Sequence, residues 1–327
     1  PAWPKLVRRV ERATCIAPTF RMKLVPTPLR LAPPRWVVDP DFDLAWHLRR
    51  GRVPAGGGFD AVLEHARVAG MSAFDHDRPL WEFTLLEGLP KGRAALVMKV
   101  HHSLTDGIGG VALAMHVVDL ARIAETLPDA PAPPLASDHG PLEPLIEALG
   151  HDVRQLAEVG GDLARKAPGL VVGALRSPVR TVTGAARVVG SIAHFVQPVL
   201  RTSSPVMRER RLRWHYDILD VPFDDLRSAA RVVDGTLNDA FVAGIAGGFR
   251  LYHERHGAGV DELHITMPIS TRGSAGGVAG NRVTLVRFGV PVGIASPAER
   301  VARIGELCRA ARREPALGQA NLIAGAL

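Results

Sequence analysis

His101-His102-Ser103-Leu104-Thr105-Asp106-Gly107 is the stretch of this chain whose residue types and spacing can do chemistry. A neutral imidazole, with an ordinary pKa of about 6.5, can take a proton from a hydroxyl at neutral pH and return it to a leaving group. Such a base contributes roughly 10²–10⁴ in rate, and donors aimed at a developing oxyanion add more. Two adjacent imidazoles followed by a carboxylate and a glycine therefore read as a general-base site. Zinc is the poorer reading, because adjacent histidines and one Asp need further ligands and none is evident in the sequence. Ser103 reads as an ordinary loop serine.

The flanking residues predict how this stretch is held. Ala94–Val100 is short, apolar and bounded by Gly92, which predicts a buried strand. Ile108–Met115 has helical length, and a helix from Ile108 to about Glu125 is expected, with Asp106 standing where a cap belongs. The imidazoles then sit where a strand gives way to a helix, and Gly107 lets the backbone come close. The helix N-terminus offers unpaired N–H groups to an oxyanion. Upstream, Phe42–Leu48 leads to a turn at Gly56-Gly57-Gly58, and a helical pattern runs through Phe59, Val62, Leu63 and Ala66. Trp81–Leu86 alternates partially and predicts a strand, with Leu89-Pro90-Lys91-Gly92 as the turn back. Downstream, Leu212–Ile218 looks strand-like; a long helix at 237–256, strands at 263–269 and 282–290, and a helix at 297–313 follow.

The HHxxxDG spacing resembles the signature of the CoA-dependent acyltransferase superfamily. That superfamily includes chloramphenicol acetyltransferase, the condensation domains of nonribosomal peptide synthetases, and bacterial wax ester synthase/diacylglycerol acyltransferases. Other blocks are similar to the last branch: Asp77-Arg78-Pro79-Leu80-Trp81-Glu82 with Glu87-Gly88-Leu89, then Thr236-Leu237-Asn238-Asp239-Ala240, then Met267-Pro268-Ile269-Ser270-Thr271-Arg272 with Gly280-Asn281-Arg282. The resemblance implies an α/β, two-lobed, chloramphenicol-acetyltransferase-like sandwich. Its N-terminal lobe would span 1–127, a Pro-rich linker and basic helical segment 128–205, and a C-terminal lobe 206–327. With no initiator methionine and an uncapped apolar end, the chain reads as a fragment lacking part of the second lobe.

The resemblance also implies roles. His102 is the base, drawing the acceptor's proton and later protonating the CoA thiolate, with His101 supporting it and Gly107 opening the helix. Asp106 has two readings, a helix cap or an ion pair fixing the loop, with Arg272 as the expected partner. Asn238 and Asp239 also have two: Asn238 lies near the reacting carbonyl at the lobe interface, or Thr236 and Asp239 simply form a capping box. Pro79, Leu80 and Trp81 read as packing beside the site ahead of substrate contact, and Asn281-Arg282 either as an organiser of the second-lobe loop facing His102 or as a turn signal. The implied substrates are acyl-CoA with diacylglycerol or a long-chain alcohol, with no resident cofactor and no metal. A carrier-bound acyl donor, or a catalytically silent lipid-binding protein, are the alternatives.

Composition bounds the rest. In 327 residues, 46% are hydrophobic and 22% charged, as expected of a folded protein. Cys15 and Cys308 are far apart, which supports neither a disulfide framework nor a CxxC metal site. The net charge is +7, and between Leu163 and Arg208 there are seven Lys and Arg and no Asp or Glu, interleaved with apolar residues. Such a segment suits an anionic membrane or lipid-droplet surface, or else a solvated helix pair between lobes. Nucleic acid is disfavoured, since aromatics are 5% and no recognition motif appears. The expected location is cytoplasmic, peripheral to the inner face of the membrane or to lipid inclusions.

Overall fold

The computed structural model describes residues 3–27, 34–105, 107–119, 128–136, 203–209, 211–270 and 283–313. The chain divides into two compact units. The first is Pro1–Glu158 with Leu212–Asp217 and Arg272–Arg282, the second Val159–Arg211 with Ile218–Thr271 and Val283–Leu327.

In the first unit α1 (Trp3–Ile16) buries Leu6, Val10 and Ala13, spaced to share one face of a helix. A two-stranded antiparallel ribbon, β1 (Met22–Val25) and β2 (Arg35–Val38), and a short α2 (Leu44–His47) follow. The sheet that carries the motif has β4 (Trp81–Leu89) at its centre, parallel to β3 (Leu48–Arg52) and antiparallel to β5 (Arg93–Val100). Central β4 is covered on both faces. Trp81, Phe83 and Leu85 join the α1 side chains, Phe20, Leu104, and Leu113 and Val117 of α4 (Gly107–Val117). On the other face Leu86 and Leu89 pack with Val62 of α3 (Phe59–Met71). Gly88 sits at φ +90° inside a register shift between Leu86 and Leu89, so the glycine of the Glu87-Gly88-Leu89 block serves a bulge.

The second unit contains α5 (Phe223–Arg231), α6 (Leu237–Arg255), an antiparallel pair β6 (Glu262–Ser270) and β7 (Val283–Pro291), and α7 (Pro297–Arg312). Ala240, Ala243 and Ala246 of α6 face Val301, Ile304 and Cys308 of α7, the small residues allowing close approach. Arg300 lies across α6, its Nε donating to the Ala243 carbonyl (2.9 Å) and Nη1 to Ile294 (2.6 Å). A Cβ at Gly247 would collide with that guanidinium. Burial pulls the Arg300 pKa down from its ordinary value.

The expected strand at 94–100, helix at 237–256, strands at 263–269 and 282–290, and helix at 297–313 correspond to β5, α6, β6, β7 and α7. Two expectations fail. Leu212–Ile218 does not form a strand; its aromatic alternation comes from Trp214 and Tyr216 lying against α3, 3.0 and 3.1 Å from where a Gly70 Cβ would stand. Helix α4 ends at Val117 instead of near Glu125, and just past its end Asp119 accepts from Lys5 and Arg9 of α1.

Candidate active site

The motif begins where β5 ends. Val100 pairs with Trp81, and the His101 N–H donates to the Leu80 carbonyl at 2.9 Å, carrying the ladder one residue into the turn. The Pro79-Leu80-Trp81 block and the histidine pair are thus joined by backbone. The Leu104 N–H then donates to the His101 carbonyl (3.0 Å), and the buried side chains of Leu104 and Thr105 anchor the far side of the turn.

The two imidazoles have different surroundings. His101 Nδ1 accepts from the Ser103 N–H at 3.2 Å, with the Ser103 hydroxyl at 2.7 Å. That nitrogen therefore holds a lone pair, and the neutral ring's proton is on Nε2. Phe74 presents its edge to the same ring at 6.0 Å, and the Lys99 ammonium sits 4.1 Å over Phe74 while donating to the Ser72 carbonyl. His101 is committed to shaping the turn. His102, next along the chain, has an exposed side chain. Gly107 is the first residue of α4.

Beneath the turn lies an aromatic stack. Trp81 is fully buried, donates from Nε1 to the Phe20 carbonyl (2.8 Å), and stacks on His47 at 4.6 Å and 17°. His47 Nδ1 is 2.7 Å from the Trp81 carbonyl, which can only accept, so Nδ1 carries the ring proton. This side chain supplies a hydrogen bond that β3, starting one residue later, does not reach. Burial holds the His47 pKa below its ordinary value, against the smaller upward pull of that hydrogen bond. Sequence reasoning missed His47; its one signal was a histidine directly before the apolar start of a strand.

In the second unit Thr236 and Asp239 form a complete capping box. Thr236 Oγ1 accepts from the Asp239 N–H (3.3 Å), and the Asp239 carboxylate accepts from the Thr236 N–H (2.8 Å). Asn238, between them, takes no part in the box; among the described residues its Nδ2 meets the sulfurs of Met267 (3.9 Å) and Cys308 (3.8 Å), which are weak acceptors. It lines an apolar cavity of about 320 Å³ with Phe241, Ile245, Phe249, Ile265 and Met267. Burial and the nearby Asp239 raise the Cys308 thiol pKa. Asp106, Arg272 and Asn281 lie outside the described residues, and with them the expected Asp106–Arg272 ion pair. So does the basic segment up to residue 202.

A Mycobacterium tuberculosis protein named as a diacylglycerol O-acyltransferase is 35% identical over 331 positions, covering 100% of this chain and 66% of the relative. A second from the same species is 33% identical over 92% of this chain and 62% of that relative. The chain thus spans about two thirds of the length of such relatives. Among solved structures, the wax ester synthase/diacylglycerol acyltransferase of Marinobacter aquaeolei superposes with a TM-score of 0.55 at 19% identity, over 93% of this chain and 62% of that one. The first condensation domain of the calcium-dependent antibiotic synthetase gives a TM-score of 0.60 at 17% identity, over 94% and 66%. These likenesses give the fold, that of the CoA-dependent acyltransferases. Residues 1–241, which include the histidine pair, the Leu80–Trp81 block beneath it and the capped start of α6, match the wax ester synthase/diacylglycerol acyltransferase catalytic domain, and the chain belongs to that family.

Proposed function

We propose that the protein transfers a fatty acyl group from acyl-CoA to the hydroxyl of diacylglycerol or of a long-chain alcohol, with His102 as general base. The observation that carries this reading is the motif turn. His101 is fixed by Leu80 and Ser103, and the next imidazole stands at the surface of the unit, where a substrate can reach it. The acceptor O–H gives its proton to His102 as its oxygen attacks the thioester carbonyl carbon. The C–S bond then breaks, and the imidazolium returns the proton to the leaving thiolate, giving ester and free CoA. Donors at the start of α4 stabilise the intermediate oxyanion. The apolar cavity beside Asn238 suits a hydrocarbon chain, and the basic, apolar segment Leu163–Arg208 suits an anionic lipid surface where such acceptors reside. No helix among the described residues is long and apolar enough to cross a membrane.

The test uses the whole protein. Thiol release from palmitoyl-CoA should require dioleoylglycerol or hexadecanol, and His102→Ala should lower kcat at least about a hundredfold with the melting curve unchanged. Turnover only with a phosphopantetheinyl carrier would move the protein to the carrier-dependent class. Unaltered turnover in His102→Ala would remove the base.

A further inference from the structure

The first unit holds a second cavity, of about 550 Å³, whose walls carry an unusual density of cations. One wall is α1, contributing Lys5, Arg8, Arg9 and Arg12; Arg21 comes from the turn after it, and the Pro128–Pro133 stretch closes the other side. Arg12 ties the two walls, donating from Nε to the Pro128 carbonyl at 2.9 Å. Lys5 with Arg9 and Arg8 with Arg12 are like charges four residues apart, a pairing that weakens a helix. The fold concentrates this charge against its own local stability.

The carboxylates present do not balance it. Asp119 serves both Lys5 and Arg9, while Arg8 and Arg12 have no carboxylate partner among the described residues. Glu11 and Asp129 also line the cavity, so among the described residues five lining cations face two lining carboxylates, with Asp119 outside the lining but paired to Lys5 and Arg9. Arg21 donates its Nε to Thr14 Oγ1 and rests on the Phe42 ring. Arg9 is only 5% exposed, and its buried Nε has no hydrogen-bond partner among the described residues. Five lining cations, four of them guanidinium groups, favour an anion with several oxygens, which planar guanidinium forks bind well.

We propose that this cavity binds a phosphorylated ligand through its phosphate groups. Two sources share that chemistry: the nucleotide end of a CoA thioester and the headgroup of an anionic phospholipid. Assignment to the CoA nucleotide rests on the acyl-transfer reading; phosphate binding itself does not.

The experiment measures binding without turnover in the whole protein. Calorimetry with CoA and with inorganic diphosphate covers the soluble source. Flotation with phosphatidylcholine vesicles, with or without phosphatidate, covers the lipid source. Wild type should bind at least one phosphate probe, and Arg8→Gln/Arg12→Gln should weaken that binding about tenfold. Asp129→Asn should tighten it, a change that loss of folding cannot mimic. In turnover, the double variant should raise KM for palmitoyl-CoA and leave palmitoyl-pantetheine, which lacks the nucleotide, unaffected if CoA is the ligand; a changed dependence on phosphatidate alone assigns the lipid. Equal binding by wild type and both variants, or no binding of any phosphate probe by wild type, overturns the proposal. An enzyme that binds CoA here yet transfers no acyl group keeps the cavity and loses the proposed activity.

Discussion

The start of the motif turn and the start of α6 solve the same problem in opposite orders. At the turn the first polar residue, His101, is consumed by local structure, taking the Ser103 N–H and giving its own N–H to Leu80, and the next, His102, is offered outward. At α6 the later residue, Asp239, is consumed by the capping box, and the earlier one, Asn238, meets sulfur at the wall of an apolar cavity. In both places one of two neighbouring polar residues holds the local backbone. The difference lies underneath. The turn stands on buried Trp81 and His47 with the partly buried Phe42 stacked on His47, whereas α6 depends on the close approach of α7 at Gly305.

The largest effects should come from breaking the first arrangement. His102→Ala should cost about 10²–10⁴ in kcat and leave stability alone. His101→Ala should lower kcat by less, and His101→Asn should recover much of the loss, because its carbonyl can accept from the Ser103 N–H. Equal and unrecoverable losses at both positions would erase the division of labour. Trp81→Ala should destabilise the protein by about 3–5 kcal/mol through the cavity it leaves, read as a shift in the urea midpoint. A smaller effect is expected at α6. Asp239→Ala should cost about 0.5–2 kcal/mol as the capping box is lost, while Asn238→Ala should leave the denaturation midpoint near wild type and lower kcat/KM. The reverse pattern would make Asn238 the structural member of the pair.

The smallest effect concerns pH. His47 is buried neutral, with a folded pKa below its ordinary value of 6.5. In the unfolded chain it protonates as the pH falls through 6.5, while the folded protein resists, so its contribution to stability is lost progressively below that pH. Urea titrations at pH 7.5, 6.5 and 5.5 should show this loss in wild type and a flatter profile in His47→Asn. Parallel profiles would place the sensitivity elsewhere.

Apolar runs, spacing and caps were enough to find β5, α6, β6, β7 and α7: β5 is a continuous apolar run after Gly92, α6 opens on the Thr236 cap, β7 ends at Pro291, and α7 opens on Ser296-Pro297. Periodicity misled at Leu212–Ile218, where Trp214 and Tyr216 alternate to meet α3 across a long gap in sequence. It was silent at α1, whose basic residues hide a buried face of Leu6, Val10 and Ala13. Alone, the sequence determined the HHxxxDG motif and the family that carries it, since side-chain type and short spacing are local properties. Only the tertiary structure decided that Leu80 holds His101, that His47 supports Trp81, and that the cations of α1 face a cavity closed by the Pro128–Pro133 stretch. Those pairings join residues tens of positions apart, and which of them meet depends on how the chain buries its apolar surface, a condition no local pattern encodes.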